Sequence, residues 1–268
     1  MWAGRRPLDE LHVLADEQAG VLARRAAAFS RQPSVWRVEG TTLVPADAEP
    51  PPVEPPLDQR AAALAELIRA AGADPVVEHG VLRGEVLGLE VARVVVDDDG
   101  AWLEVGVGKH DREATRMLHA DEPTRQALAR AVAMVEGHRR AAAPHHPYNR
   151  LAPERWLRAT VLADPGRIGA ARLSPLPSPV DRGDLRKPAP APAAGVDTEG
   201  RPLVAVFSTG MDLDLVPFAA DARLADGRDA RLLVVVPARD DHPSLRQVAA
   251  ALKDPAEVVT VPDDWRKP

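Results

Sequence analysis

Proline placement constrains this chain more than any other feature. The sequence holds 27 prolines in 268 residues, and many of them gather at three places. Proline lacks a backbone N–H and fixes φ, so such a cluster belongs neither in a helix interior nor in a central strand. Residues 49–56 read Glu-Pro-Pro-Pro-Val-Glu-Pro-Pro and form an extended linker. Pro144 and Pro147 mark a second break at 143–150, and residues 175–192 form a third. The breaks outline an N-terminal extension at 1–48, a middle domain at 57–141 and a C-terminal domain at 150–262. Two domains plus an extension suit the length, at roughly 150 residues per domain.

Composition removes several classes of function. Cysteine is absent, which excludes disulfides, thiolate metal sites and cysteine nucleophiles. The apolar runs at 203–207 and 232–236 fall far short of the ~18 residues a membrane span requires. The first residues show no apolar leader, so the expectation is a cytoplasmic protein without membrane association. Residues 1–150 carry 18 basic and 23 acidic side chains (−5), residues 151–268 carry 16 and 17 (−1), and together these give the net −6. A nucleic-acid binder concentrates positive charge on one module, so nucleic-acid binding is expected to be weak or absent. Aromatic residues are 3% of the chain, which leaves Val, Leu and Ala to build the cores and no stacking platform for bases.

Apolar spacing gives the elements. Leu11, Leu14, Leu22 and Ala26 recur at helical intervals and predict a helix over 8–29, followed by a hairpin at 35–44 that turns at Glu39-Gly40. The extension has too few large apolar residues to stand alone and is expected to pack on another domain. In the middle domain, Leu57, Leu64, Leu67, Ile68 and Ala71 predict a helix ended by Gly72. Strands are predicted at 76–77, 81–96 and 102–107, the last two joined by Asp97-Asp98-Asp99-Gly100. Helices at 112–118 and 123–139 follow, the second capped by Asp121. The C-terminal domain opens with a helix at 152–162 and a hairpin at 195–207. From Leu203 onward it alternates strand and helix, which implies parallel strands. Asp97-x-Asp99-Gly100-x-x-Leu103 and Asp197-x-Glu199-Gly200-x-x-Leu203 match at a shift of 100 residues, as a duplication would produce.

Helix, antiparallel hairpin, strand and helix, in this order, resemble the PD-(D/E)XK nuclease-like fold of RecB-like and Holliday-resolvase-like nucleases. The resemblance covers 57–139 and again 195–261, and implies an α/β chain of two nuclease-like αβββα-type halves with mixed sheets, plus a helical N-terminal extension. That family's chemistry needs an acid on one strand and an acid-x-Lys triplet on the next, which hold Mg²⁺ and position a water. In the C-terminal half Val206 and Ser208 stand where the last acid and the Lys belong. In the middle half Glu90 and Glu104 supply two acids, but Lys109 lies five residues beyond Glu104. The resemblance therefore implies a degenerate active site, no cofactor and a binding role. Its alternative is a divergent Mg²⁺-dependent nuclease acting through Glu90, Glu104 and Lys109. The text at 103–113 and 208–223 also resembles a group of uncharacterised two-domain actinobacterial proteins, which implies no activity.

Other motifs fail on named positions. Gly106-Val107-Gly108-Lys109 is not a P-loop, because Leu103 and His110 replace the required Gly and Ser or Thr. A Ser208–His242–Asp240 triad lacks the nucleophile elbow, since Val206 holds the first glycine place. His138, His145 and His146 have no carboxylate at ligand spacing, so no metal site is expected. The segment 208–214 follows a buried strand and opens a helix, and ligands in open α/β sheets bind beyond the carboxyl ends of strands. The candidate binding residues are therefore Ser208, Thr209, Asp212 and Asp214, with Arg239 and Asp240 from the next strand end, and the expected partner is a protein. A structural account stands beside that one, with Asp212 capping the helix and Asp214 complementing its dipole.

Overall fold

A computed structural model describes residues 9–118, 124–140, 143–180 and 189–267 and shows an α/β chain with three sheets. The N-terminal extension is not simply helical. His12–Ala15 form strand β1, and only Ala19–Ala27 form helix α1. The chain turns between them at Gln18, whose φ is 54°. β1 lies parallel to β2 (Ser34–Glu39), which pairs antiparallel with β3 (Thr42–Pro45) across a turn at Gly40. Ladder bonds from β2 hold 12–15 extended, where an isolated helix of the same few residues would be marginal. Residue 8 lies outside the described residues. Val13 and Val35 pack on Ala23 and Ala26 of α1. The extension docks on the C-terminal domain, where Arg24 and Arg25 each donate to Asp221 at 2.8 Å and Phe29 bridges Leu252.

The middle domain opens with two short helices, α2 (Gln59–Ala62) and α3 (Ala65–Ala70), where the apolar pattern predicts one. Asp58 caps the first by accepting from the Arg60 N–H at 2.7 Å, and Gly72, with φ 91°, follows the second. A meander of four antiparallel strands comes next: β4 (Asp74–Glu78), β5 (Val81–Val86), β6 (Leu89–Asp97) and β7 (Gly100–Val105). The stretch 81–96 is thus two strands and not one. Leu87 and Gly88 take φ 47° and 75°, the pair of positive angles that closes a two-residue hairpin. Helices α4 (Gly108–Leu118) and α5 (Thr124–His138) complete the domain. Asp121 lies outside the described residues. Leu128, Val132 and Val135 of α5 join Ile68 over a sheet face made of Leu82, Ala92, Val94 and Leu103.

The C-terminal domain runs α6 (Pro153–Ala163), β8 (Ala170–Pro175), β9 (Ala191–Asp197), β10 (Pro202–Phe207), α7 (Leu215–Asp226), β11 (Arg231–Pro237), α8 (Pro243–Ala250) and β12 (Glu257–Val261). Its sheet has the order β12-β11-β10-β9-β8. β10, β11 and β12 are parallel, and β8, β9 and β10 are antiparallel. β11 sends Leu232, Val234 and Val236 into the layer shared with α7 and α8, and Leu233 and Val235 into the layer shared with α6. Burial on both faces is what its unbroken apolar run predicts. β8 escapes the sequence reading because Ala-Ala-Arg-Leu-Ser-Pro holds no β-branched residue, as an edge strand tolerates. The domain also extends past residue 262, since Trp265 is buried edge-on against Trp156 at 5.8 Å.

The repeated Asp-x-x-Gly text has a local explanation. Asp97 Oδ1 accepts from the Asp99 and Gly100 N–H groups, and Asp197 Oδ1 accepts from those of Glu199 and Arg201. Each aspartate closes its own hairpin turn, which accounts for the shared residues. The surroundings differ, because β7 ends its sheet whereas β10 continues through α7 into parallel β11.

Candidate functional site

The face of the middle sheet turned away from α5 is charged. It carries Glu78 of β4, Arg83 and Glu85 of β5, Glu90 and Arg93 of β6, and Glu104 of β7. A bulge makes this possible. Gly84 pairs with Ala92 but Glu85 pairs with Glu90, so Val91 is an extra residue. Without it Glu90 would share the apolar face with Ala92. Glu90 is buried, and its carboxylate accepts from Arg93 at 2.9 and 3.2 Å and from Arg112 at 3.0 Å, with Arg83 at 3.4 Å. Glu104, one strand away, meets the same Arg112 at 3.5 Å. The two acids of the nuclease reading therefore converge, but on a guanidinium. Lys109 does not join them, since its side chain is 79% exposed and reaches Glu113 at 3.9 Å. A carboxylate engaged by three arginines does not fit Mg²⁺, which needs free oxygen ligands. Gly106 has a packing role, because a Cβ there would stand 2.7 Å from the Arg112 backbone nitrogen.

At the other end of this face α6 inserts Arg155 and Arg158. Arg155 donates to Glu85 at 2.6 Å and to both oxygens of Glu78 at 2.6 and 2.7 Å, and Arg158 donates to Glu85 at 3.2 Å. All four side chains are buried. Close by, Arg139 donates to the carbonyls of Leu87, Tyr148, Leu151 and Ala152 and lies 4.5 Å over the Trp156 ring. These contacts fasten the middle domain to the C-terminal one. Burial pushes the Glu78 carboxyl up, but Arg155, Arg83 and Arg158 outweigh burial and hold it at about 2. A depressed acid stabilises the fold fully above its unfolded value and loses that contribution as pH falls towards the folded value. Stability is therefore expected to fall by about 1.4 kcal/mol per pH unit between roughly pH 4.5 and 2 from this group alone. Urea unfolding at stepped pH measures the slope, and a flat profile below pH 4 would contradict it.

The strand-end loops do meet, as the parallel order requires. The Gly210 N–H donates to Asp240 Oδ2 at 2.8 Å, tying the loop after β10 to the short 3-10 turn Ala238–Asp240 after β11. Thr209 Oγ1 donates to buried Glu154 of α6 at 3.3 Å. Ser208 is buried, and its N–H donates to Val235 O at 3.1 Å. Arg239 stays exposed, and its guanidinium is 3.9 Å from Asp240. Asp212 is not the helix cap, since α7 starts at Leu215 and Asp214 occupies the cap position without a side-chain cap bond. Asp212 Oδ1 instead accepts from the Asp214 N–H at 2.9 Å, closing a turn ahead of the helix. Burial holds the Asp212 carboxyl above its ordinary value, against the lowering effect of the Asp214 N–H. An amide oxygen can accept the same bond, so Asp212→Asn should leave thermal unfolding unchanged, whereas Asp212→Ala should cost about 0.5–1 kcal/mol. Equal losses in both variants would show that the charge, and not the turn, is what matters. Asp214 is exposed, and among the described residues its carboxylate makes no hydrogen bond or ion pair.

A cleft that sequence reasoning missed lies at the opposite end of the sheet. Its volume is about 1080 Å³, and it opens at the amino ends of β10, β11 and β12 beside α1 and the last turn of α7. Four of its lining bases, Arg24, Arg201, Arg228 and Arg231, are already ion-paired. Arg223 and Lys253 make no ion pair among the described residues, and the lining as a whole holds six bases and four acids, Asp221, Asp229, Asp254 and Glu257. His146 stacks on His138 at 3.8 Å and meets Tyr148 edge-on, and among the described residues no group of three or more His, Asp or Glu is placed to hold a metal ion. No family model, no curated protein and no solved structure matches the chain.

Proposed function

We propose that this chain is a non-catalytic, cytoplasmic binding module on a nuclease-like scaffold whose active site has degenerated. The observation that carries the reading is the occupation of Glu90 by Arg83, Arg93 and Arg112, with Lys109 turned to solvent. An order of helix, three antiparallel strands, helix and parallel strand at α6–β11 supports the scaffold in the C-terminal half, where Val206 and Ser208 stand at the acid and Lys places, whereas the middle half that holds Glu90 is a meander of four antiparallel strands. The binding site of this reading is the strand-end crevice, with Ser208, Thr209 and Asp212 in its floor and turn, and Asp214, Arg239 and Asp240 at its rim. Its ligand is a protein. Asp214, whose carboxylate makes no hydrogen bond or ion pair among the described residues, gives the rim an exposed charge, and the net −6 of the chain disfavours nucleic acid.

The purified protein is expected not to cut single- or double-stranded DNA or RNA with Mg²⁺ or Mn²⁺. Cleavage abolished by Glu104→Ala would overturn this and establish the divergent nuclease. Nucleic-acid binding should also vanish near physiological salt. A dissociation constant below about 1 μM at about 150 mM salt would count against a protein ligand, because non-specific binding is typically ~10⁻⁴–10⁻⁶ M there. Within the protein-binding reading, Asp214→Asn should abolish capture of the partner from the native host while leaving thermal unfolding unchanged.

A further inference from the structure

Two arginines stand just beyond the carboxyl ends of neighbouring parallel strands. Arg239 follows β11 and Arg266 follows β12. The Arg239 N–H donates to Asp263 Oδ1 at 2.9 Å, and the Trp265 N–H donates to Pro262 O at 3.0 Å, so the two loops are tied together. Arg266 is half-buried, and its guanidinium lies 4.9 Å over the Trp265 ring and 5.1 Å over the Trp156 ring. Cation–π contact places the group but leaves its N–H donors unused. Among the described residues the Arg266 side chain makes no ion pair, and its enclosed Nε has no acceptor. Burial, and then Arg239, hold the Arg266 guanidinium below its ordinary value. Arg139 is likewise held down, to about 9, by burial and by Arg266. Arg139 gives its terminal donors to four carbonyls, whereas Arg266 gives none.

A half-buried cation beside two others, with no carboxylate on it, is a costly arrangement that an anion relieves. The position is also the one where open α/β sheets take ligands. The surrounding charge selects the anion. Asp240 lies 3.9 Å from the Arg239 guanidinium, and Asp263 stands in the adjoining loop, so a multiply charged phosphate would meet two carboxylates. A carboxylate brings a single charge, and its two oxygens match the guanidinium fork. We propose that Arg239 and Arg266 form a binding site for one carboxylate group, carried by a protein ligand. The source of that carboxylate rests on the strand-end crevice taking a protein, whereas the arginine pair can be tested without one.

Acetate is the probe, titrated into the isotope-labelled full chain at constant ionic strength against chloride and followed by NMR. The indole N–H signals of Trp156 and Trp265, assigned through Trp156→Phe and Trp265→Phe, report on the guanidinium above them. A saturable shift with half-saturation on the order of 10 mM is expected, a modest affinity suited to so small a ligand. Arg239→Gln removes a charge-assisted bond, and Arg266→Lys replaces the fork with a point charge. Each should weaken acetate binding by about tenfold or more. Arg239 is exposed, so its variant tests the site without disturbing the two tryptophans. Lys253→Gln, in the cleft at the far end of the sheet, should leave binding unchanged. Inorganic phosphate should bind no more tightly than acetate. The absence of a saturable shift up to about 200 mM acetate would overturn the proposal. So would unweakened binding in Arg239→Gln, or an equal loss in Lys253→Gln. Phosphate binding about tenfold tighter than acetate would overturn the choice of a carboxylate. Any of these would leave the crevice reading standing, which Asp214→Asn tests separately.

Discussion

Arg155→Ala is expected to cost about 3–5 kcal/mol of unfolding free energy, because it removes one partner of a buried ion pair and strands the others. Arg155 is the main cation for both Glu78 and Glu85, which lie in the interior with it. Arg83 would still reach Glu78 at 2.9 Å and Arg158 would still reach Glu85 at 3.2 Å, so the loss should fall short of two free buried charges. Both remaining contacts are single hydrogen bonds, whereas Arg155 makes three. The damage should also be localised, because Arg155 belongs to α6 of one domain and the two glutamates to the sheet of the other. Urea unfolding at neutral pH should therefore separate into two transitions. Replacing the whole buried set at once, as Arg155→Met, Arg158→Met, Glu78→Leu and Glu85→Leu, should restore most of the stability, since a well-packed apolar set of similar volume dispenses with desolvating charge and Arg83 keeps Glu90. A loss under about 1 kcal/mol in Arg155→Ala, with a single transition, would show that the cluster is wet and that apolar contacts hold the domains together.

The parts of this molecule that the sequence states plainly are those decided by local chemistry. The Val run of β11, the Asp-x-x-Gly turns and the proline linker follow from burial on two faces, side-chain turn closure and the missing N–H. The parallel order from Leu203 onward also follows, and with it the meeting of Gly210 and Asp240. What stays hidden depends on partners distant in sequence. The pattern at Leu11 and Leu14 has helical spacing, yet β2 some twenty residues on pairs with 12–15 and takes Leu14 into a strand. Glu90 reads as a catalytic acid because its arginines come from three places, Arg83, Arg93 and Arg112, and because the bulge at Val91 changes which face it joins. Glu78, Glu85, Arg155 and Arg158 give no signal in a linear reading. Each looks like an ordinary surface charge until α6 and the sheet are brought together. The positive φ at Leu87 is hidden for a different reason, since leucine is a poor marker for a left-handed turn.

That turn gives the second large expected effect. Gly88→Ala should cost about 2–5 kcal/mol, more than a glycine-to-alanine change at an ordinary turn. Two penalties combine. Gly88 has φ 75°, where an alanine side chain is strained by about 1–2 kcal/mol. Its missing Cβ would also stand 2.4 Å from both the carbonyl carbon and oxygen of Arg155. Those are backbone atoms in the first turns of α6 and cannot rotate away, so helix or hairpin must move by about 1 Å to regain van der Waals contact, an overpacking cost of about 1–3 kcal/mol. Movement there lengthens the 2.6 Å Arg155–Glu85 bond and disturbs Leu87, whose carbonyl accepts from Arg139. Gly200→Ala is the control, because Gly200 has φ 81° with open space around its missing Cβ. It should show the backbone penalty alone, about 1–2 kcal/mol. The difference between the two variants in urea unfolding measures the contact between hairpin and helix. Equal losses would mean that the hairpin and α6 do not pack this closely in solution, and that the cluster around Arg155 is looser than its distances indicate.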